Sequence, residues 1–175
     1  MNNLLELMIN RRSVRKYSDI PVTDEQIKSI TTAALLSPSG HSKYPCEFIV
    51  VKDKDTLEKL SHCRVAVAKM LNNASCAIVT IADKNKSDTI VEDSSIAMMN
   101  MHLMAASLGL GSCWIQLHLR EAEDGRDSQE YVREQLKIPD NYYCQAILSI
   151  GNIEKQPKPH DLNKLNLDKI HSEIF

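Results

Sequence analysis

From Glu92 to Leu108 the chain carries its longest periodic stretch, and the apolar residues fall on two stripes instead of one. Ala97, Met98, Met101, Met104, Ala105 and Leu108 form the first, and Ile96, Met99, Leu103 and Ala106 the second. A helix that is apolar nearly all round has to be covered nearly all round. In a chain of 175 residues this calls for a helix at the centre of the fold or one that faces a second subunit. The methionines read as core filling, and His102 as a hydrogen-bonded core histidine. Gly109 supplies the C-cap.

The other elements follow from local signals. Leu4, Leu5, Leu7 and Met8 mark a short amphipathic helix, and Thr23-Asp-Glu-Gln26 opens a second, over 24–35, with a capping box. Ser37-Pro-Ser-Gly40 stops it. Helical spacing returns at Leu57 and Leu60 and again from Val65 to Leu71, and Ser128 is the expected cap of a helix running to Leu136. Continuous apolar runs at 48–51, 77–82, 113–115 and 145–150 read as four buried strands. After Gly151 the composition thins to scattered apolar residues from Leu162 to Phe175, too few for a core, so this tail must lie on the body or on a second copy.

Hydrophobic residues make up 43%, enough for a packed interior, and Lys+Arg 21 against Asp+Glu 23 leaves a net charge of -2. Nothing in that balance points to nucleic acid. Five dispersed cysteines with no Cys-x-x-Cys pair suit reduced thiols. No apolar run reaches the ~20 residues of a membrane span or the pattern of a signal peptide. A cytoplasmic protein is expected.

Against this near-neutral background, Arg11-Arg-Ser-Val-Arg-Lys-Tyr17 places three guanidiniums and a hydroxyl at the end of the first helix. Basic residues there can simply complement the helix dipole, but forked donors also match phosphate or a heterocycle carbonyl. Other chemistries lack their residues. With five glycines there is no Walker loop, and Gly109-Leu-Gly111 ends a helix, with Trp114 at the third position of a dinucleotide fingerprint. The chain has no Gly-x-Ser-x-Gly elbow, no His-Glu-x-x-His helix and no histidine spacing suited to a metal. An anion site without an evident acid, base, nucleophile or metal suggests that an organic cofactor carries the reaction.

The order of three blocks, Arg11 to Tyr17, Ser37-Pro-Ser-Gly-His-Ser-Lys-Tyr-Pro45 followed by Phe48 to Val51, and Leu108-Gly-Leu-Gly-Ser-Cys-Trp-Ile115, resembles the FMN-dependent nitroreductase family over nearly the whole chain. The resemblance implies an α+β fold, a mixed, mainly antiparallel sheet flanked by helices, in an intertwined homodimer. Residues 1–175 would form one FMN-binding domain, with 152–175 as a wrapping tail. It implies that Arg11, Arg12, Ser13 and Arg15 grip the flavin phosphate and pyrimidine edge. Pro38, Ser39 and Ser42 would cover the flavin from the other subunit. Trp114, Ile115, Gln116 and Leu117 would lie along it near N5, and Lys69 near the pyrimidine. Lys158 and His160 match the family's terminal Lys-x-Arg phosphate pair, with histidine in place of arginine. Ser42, Tyr44 and Cys46 stand where the family usually has asparagine, glutamine and tryptophan. The implied activity is transfer of hydride from NADH or NADPH through FMN to a small electron-poor acceptor such as a nitroaromatic or quinone. A flavin-binding or sensing protein without turnover, and a specialised reductase or dehalogenase of the same fold, are the alternatives.

Overall fold

Four strands, β1 (Cys46–Val51), β2 (Cys76–Asp83), β3 (Leu110–Gln116) and β4 (Tyr142–Asn152), form one sheet in the order β1-β2-β4-β3. This is a computed structural model, and it describes residues 3–175. All three strand pairs are antiparallel, and the parallel component is one bridge between Ser13 and Ser112. β2 and β4 are the central strands and are buried along nearly their whole length. That explains their continuous apolar sequence, since both faces are covered.

One face carries α2 (Asp24–Leu35) and α4 (Ile90–Ser107), where Ile27, Ile30, Met98, Met101 and Ala105 pack on Ile78, Leu148 and Ile150. The other carries α3 (Lys54–Leu60) and α5 (Ser128–Leu136), with Leu57, Leu60 and Val132 against Val79, Ile115 and Ile147. α1 (Asn3–Asn10) lies beside α4.

The capping box of α2 forms in full: Thr23 Oγ1 accepts from the Gln26 N–H at 3.2 Å, and Gln26 Oε1 accepts from the Thr23 N–H at 2.9 Å. At α5 the cap is Asp127, one residue earlier than expected, because its carboxylate accepts from two free N–H groups, those of Gln129 and Glu130. Ser128 instead donates its hydroxyl to the Cys63 carbonyl at 2.6 Å. The helical spacing of 65–71 gives only a 3-10 turn over Lys69–Asn73, because Ala66 turns to a positive φ of 56° and leaves Val65 and Val67 exposed.

α4 separates its two stripes. Ala97, Met98, Met101 and Ala105 are buried, whereas Ile96 and Met99 are each 39% exposed and Leu103 and Ala106 are half-buried. One stripe is core and the other faces outward. The apolar residues of the tail, from Leu162 to Phe175, are exposed as well. Among the described residues no helix is long and apolar enough to cross a membrane.

Candidate cofactor site

The arginine block is not part of a helix. The chain leaves α1 at Asn10 and runs extended beside the edge strand β3, where the Val14 N–H donates to the Ser112 carbonyl at 3.0 Å and the Ser18 N–H to the Asn152 carbonyl at 2.9 Å. Two glycines admit it. Gly111 and Gly151 face each other across β3 and β4. A Cβ on Gly111 would come within 2.7 Å of Val14, and one on Gly151 within 2.6 Å of the Tyr17 ring. Val14 and Tyr17 therefore turn inward, with the Tyr17 hydroxyl donating to the Val14 carbonyl at 2.9 Å and sharing a hydrogen bond with Ser149 Oγ at 2.7 Å. The preceding Ser13 and the intervening Arg15 and Lys16 stay exposed.

Beyond β4 the tail folds back over the same segment. The Arg12 guanidinium donates to the Lys158 carbonyl, and the His160 N–H donates to the Ile9 carbonyl at 2.9 Å. A groove between the two stretches is lined by Ser13, Arg15, Lys16, Lys155 and Lys158, and Glu154 is its one carboxylate; Arg11 and Arg12 line the adjoining cleft. Among the described residues, none of Arg11, Arg12, Arg15 and Lys158 belongs to an ion pair. Grouped cations that outnumber the single carboxylate and form no ion pair, several of them forked donors, fit a phosphate. Close by, His102 is buried and shares a hydrogen bond with Ser112 Oγ at 2.8 Å through Nδ1. Burial, with Arg11 as a smaller cause, pushes its pKa down to about 4, so the imidazole is a neutral core group.

From Ser112 onward β3 is the outer strand of the sheet. Side chains alternate along it: Trp114 and Gln116 are half-buried, and Trp114 Nε1–H donates to Gln116 Oε1 at 2.8 Å. Ile115 and Leu117 are fully buried in the α3/α5 core. The run 114–117 is thus divided: Ile115 and Leu117 put their side chains in the core, and the Leu117 N–H donates to the Gln145 carbonyl at 3.2 Å. Since Ser112 turns its carbonyl to the open edge, Trp114 and Gln116 turn theirs the same way. There the Arg64 guanidinium takes the Gln116 carbonyl at 3.1 Å.

Lys69 stands near this end of β3 in a cluster the sequence did not suggest. Its ammonium lies 2.9 Å from Glu123 Oε1 and 3.2 Å from His62 Nδ1, while His62 Nδ1 lies 2.6 Å from Glu123 Oε2. Arg64, His62 and Glu123 sit in no motif, and the contacts of Arg64 with Gln116 and of Glu123 with His62 and Lys69 are all long-range, so nothing in the local sequence marks them.

The Ser37–Pro45 loop lies elsewhere. It is held by Asp93, a buried carboxylate in the first turn of α4 that accepts from Ser39 Oγ at 2.7 Å and from the Gly40 N–H at 3.1 Å. Ser39 Oγ in turn accepts from the Tyr44 N–H at 2.9 Å. His41, Ser42 and Tyr44 all have positive φ, a costly backbone that these bonds maintain. Pro38 and Ser42 are exposed, and Pro38 and Tyr44 line a cleft with Leu35 and Phe48. The arginine block borders Ala106 and Gly109, at the far end of α4. Thirteen helical residues separate Asp93 from Ala106, about 20 Å at 1.5 Å each. One chain therefore brings 11–15, 114–117, 158 and 160 to one region and leaves 38–42 apart.

The nitroreductase family model matches residues 8–69 and 62–152. The chain belongs to the nitroreductase family. A solved structure described as an FMN-dependent nitroreductase from Clostridium difficile superposes with a TM-score of 0.95 at 43% identity, covering 98% of this chain and 99% of that one. A relative from Archaeoglobus fulgidus, provisionally named an NADH dehydrogenase/NAD(P)H nitroreductase, is 37% identical over 178 residues, covering 99% of both. The NADPH-flavin oxidoreductase of Vibrio harveyi is 27% identical over 199 residues, 98% of this chain and 80% of that protein. Burial pushes the thiols of Cys63 and Cys76 up to about 12 and that of Cys144 up to about 11, so these three are protonated core groups and not thiolate nucleophiles.

Proposed function

We propose that this chain is an FMN-dependent oxidoreductase that works as a homodimer. It would pass hydride from NADH or NADPH to a small electron-poor acceptor such as a nitroaromatic or quinone. The observation that carries the reading is the groove lined by cations that form no ion pair among the described residues, on the segment that bridges to the edge strand β3 at Ser112. When bound, FMN supplies a two-electron carrier between the nicotinamide and the acceptor. The protein's own part is placement. Arg11, Arg12, Arg15 and Lys158 would hold the phosphate, with the His160 segment closing that end. The backbone at Trp114 and Gln116 would border the ring system, and Lys69 would stand at its polar edge.

The second subunit enters because of α4. Pro38, Ser39 and Ser42 stand toward the N-terminal end of α4 and the arginine block at its C-terminal end, with about 20 Å of helix rise between the anchors Asp93 and Ala106, whereas a two-fold-related copy with α4 running the opposite way would bring its loop to that block. Such a copy would also cover Ile96, Met99, Leu103 and Ala106, and give the exposed tail a surface to wrap. Both stripes of α4 would then be buried.

Absorbance of the purified protein and its anaerobic bleaching by NADH and by NADPH test the reading. Bound flavin that bleaches is the expected result. Colourless protein that also fails to take up added FMN would refute it, and bound flavin that neither nicotinamide reduces would leave a binding protein in place of an enzyme. Arg12→Ala should weaken FMN binding about ten- to a hundredfold, the value of a charge-assisted hydrogen bond. Lys28→Ala, an exposed cation on α2, should leave it unchanged.

A further inference from the structure

We propose that Glu123 is a positioning residue for Lys69 and affects flavin binding only through it; this rests on the FMN reading above. The segment after β3 is a small latched hairpin. Glu121 bridges Asp127, the Ala122 N–H donates to the Arg126 carbonyl at 2.9 Å, and the Ser128 N–H donates to the Arg120 carbonyl at 2.8 Å. Two bonds tie the hairpin to the segment that leads to Lys69: the Glu123 N–H donates to the His62 carbonyl at 3.0 Å, and Ser128 Oγ donates to the Cys63 carbonyl at 2.6 Å. Ala122 is buried and anchors the turn.

This backbone delivers the Glu123 carboxylate to the Lys69 ammonium, at 2.9 Å from Oε1 and 3.1 Å from Oε2. His62 Nδ1, at 2.6 Å, fixes the same carboxylate from the other side. Hydrogen bonds from Lys69 first and His62 second hold the Glu123 carboxyl below its ordinary range, so it stays charged. An exposed ion pair of this kind adds little to stability, and the side chains of Lys69 and Glu123 are 46% and 30% exposed. What the clamp does is restrict a long, flexible side chain. Met70 and Leu71 bury the base of the turn that carries Lys69, and Glu123 fixes its tip. Because His62 Nδ1 donates its proton to Glu123, it cannot also accept from Lys69; an ammonium has three donors, spends at most two on the Glu123 oxygens at 2.9 and 3.1 Å, and keeps a further N–H for a ligand. The Arg64 contact to Gln116 holds the 62–69 segment at the open edge of β3, where that donor would be used.

A double-mutant cycle tests this: apoprotein carrying Lys69→Met, Glu123→Gln, both or neither is titrated with FMN and followed by quenching of flavin fluorescence. Lys69→Met should weaken binding about tenfold. Glu123→Gln should weaken it about threefold or more when Lys69 is present and less than about twofold when it is absent, because a residue that acts through another has nothing left to position. Glu123→Asp, which keeps the charge but sets it back by one methylene, should fall between the wild type and Glu123→Gln. An equal loss in both backgrounds, or no loss beside Lys69, would overturn the assignment. Wild-type protein that binds no FMN would overturn the functional reading itself, which is a different result.

Discussion

The two ends of α4 have opposite designs. Toward its C-terminal end the groove is lined by cations that outnumber its one carboxylate, Glu154, on a segment that two glycines allow to lie flat against β3 and β4. At its N-terminal end the polar groups are already committed: Asp93 holds Ser39 and Gly40, and Ser39 holds the backbone of Tyr44. The first region has unmet charge and flexible side chains, as an anion site requires. The second has satisfied bonds and a strained backbone, as a rigid contact surface requires. Joined through the outward stripe of α4, two copies would give each site one half of either kind.

The largest effect should come from removing the tail. Deleting residues from Asn163 onward takes away exposed Leu165, Leu167, Ile170, Ile174 and Phe175, which make no core in their own chain. If they wrap a partner, the truncated protein should sediment as a monomer and lose FMN, because subunit association and folding are linked in such assemblies. A truncated dimer with full flavin content would break the link between the tail and the two-chain site.

A smaller effect should distinguish the ends by pH. His102 is neutral in the fold, with its pKa at about 4 against an ordinary 6.5, through burial and then Arg11. As pH falls below 6.5 the unfolded chain takes up a proton that the fold does not, so stability present at neutral pH is lost between about 6.5 and 4. At 1.36 kcal/mol for each pH unit this amounts to at most about 3 to 4 kcal/mol. Denaturant titrations across that window should show a shallower acid slope for His102→Gln than for wild type. Identical slopes would mean that His102 is not held neutral by its surroundings.

Where the signal is local, sequence and structure agree. Thr23 and Gln26 form their capping box, and the four apolar runs are strands, each extending beyond its run by up to three residues at either end. The stripes of α4 were visible as period, and the structure assigns one to the core and one to the outside. The errors arise where a neighbour decides. Asp127 displaces Ser128 as cap because a carboxylate satisfies two N–H groups, while Ser128 is drawn to Cys63. Arg11 to Tyr17 looked like a helix terminus, and its extended course depends on the missing Cβ atoms of Gly111 and Gly151, far along the chain. Ile115 and Leu117 could not be separated from Trp114 and Gln116 until the strand alternation showed which face each takes. Glu123 and His62 were out of reach for the same reason, being 61 residues apart and joined only by the fold.

Subunit mixing tests the two-chain site most directly. One chain carries Arg12→Ala and its partner carries Pro38→Glu, and the purified heterodimer is titrated with FMN. If each site takes its arginines from one chain and its loop from the other, both changes fall on a single site. The second site is then wild type, and the heterodimer should bind one FMN per dimer with wild-type affinity. A heterodimer with no tight FMN site would contradict the account, because it would mean that the arginines and the loop of the same chain serve the same flavin.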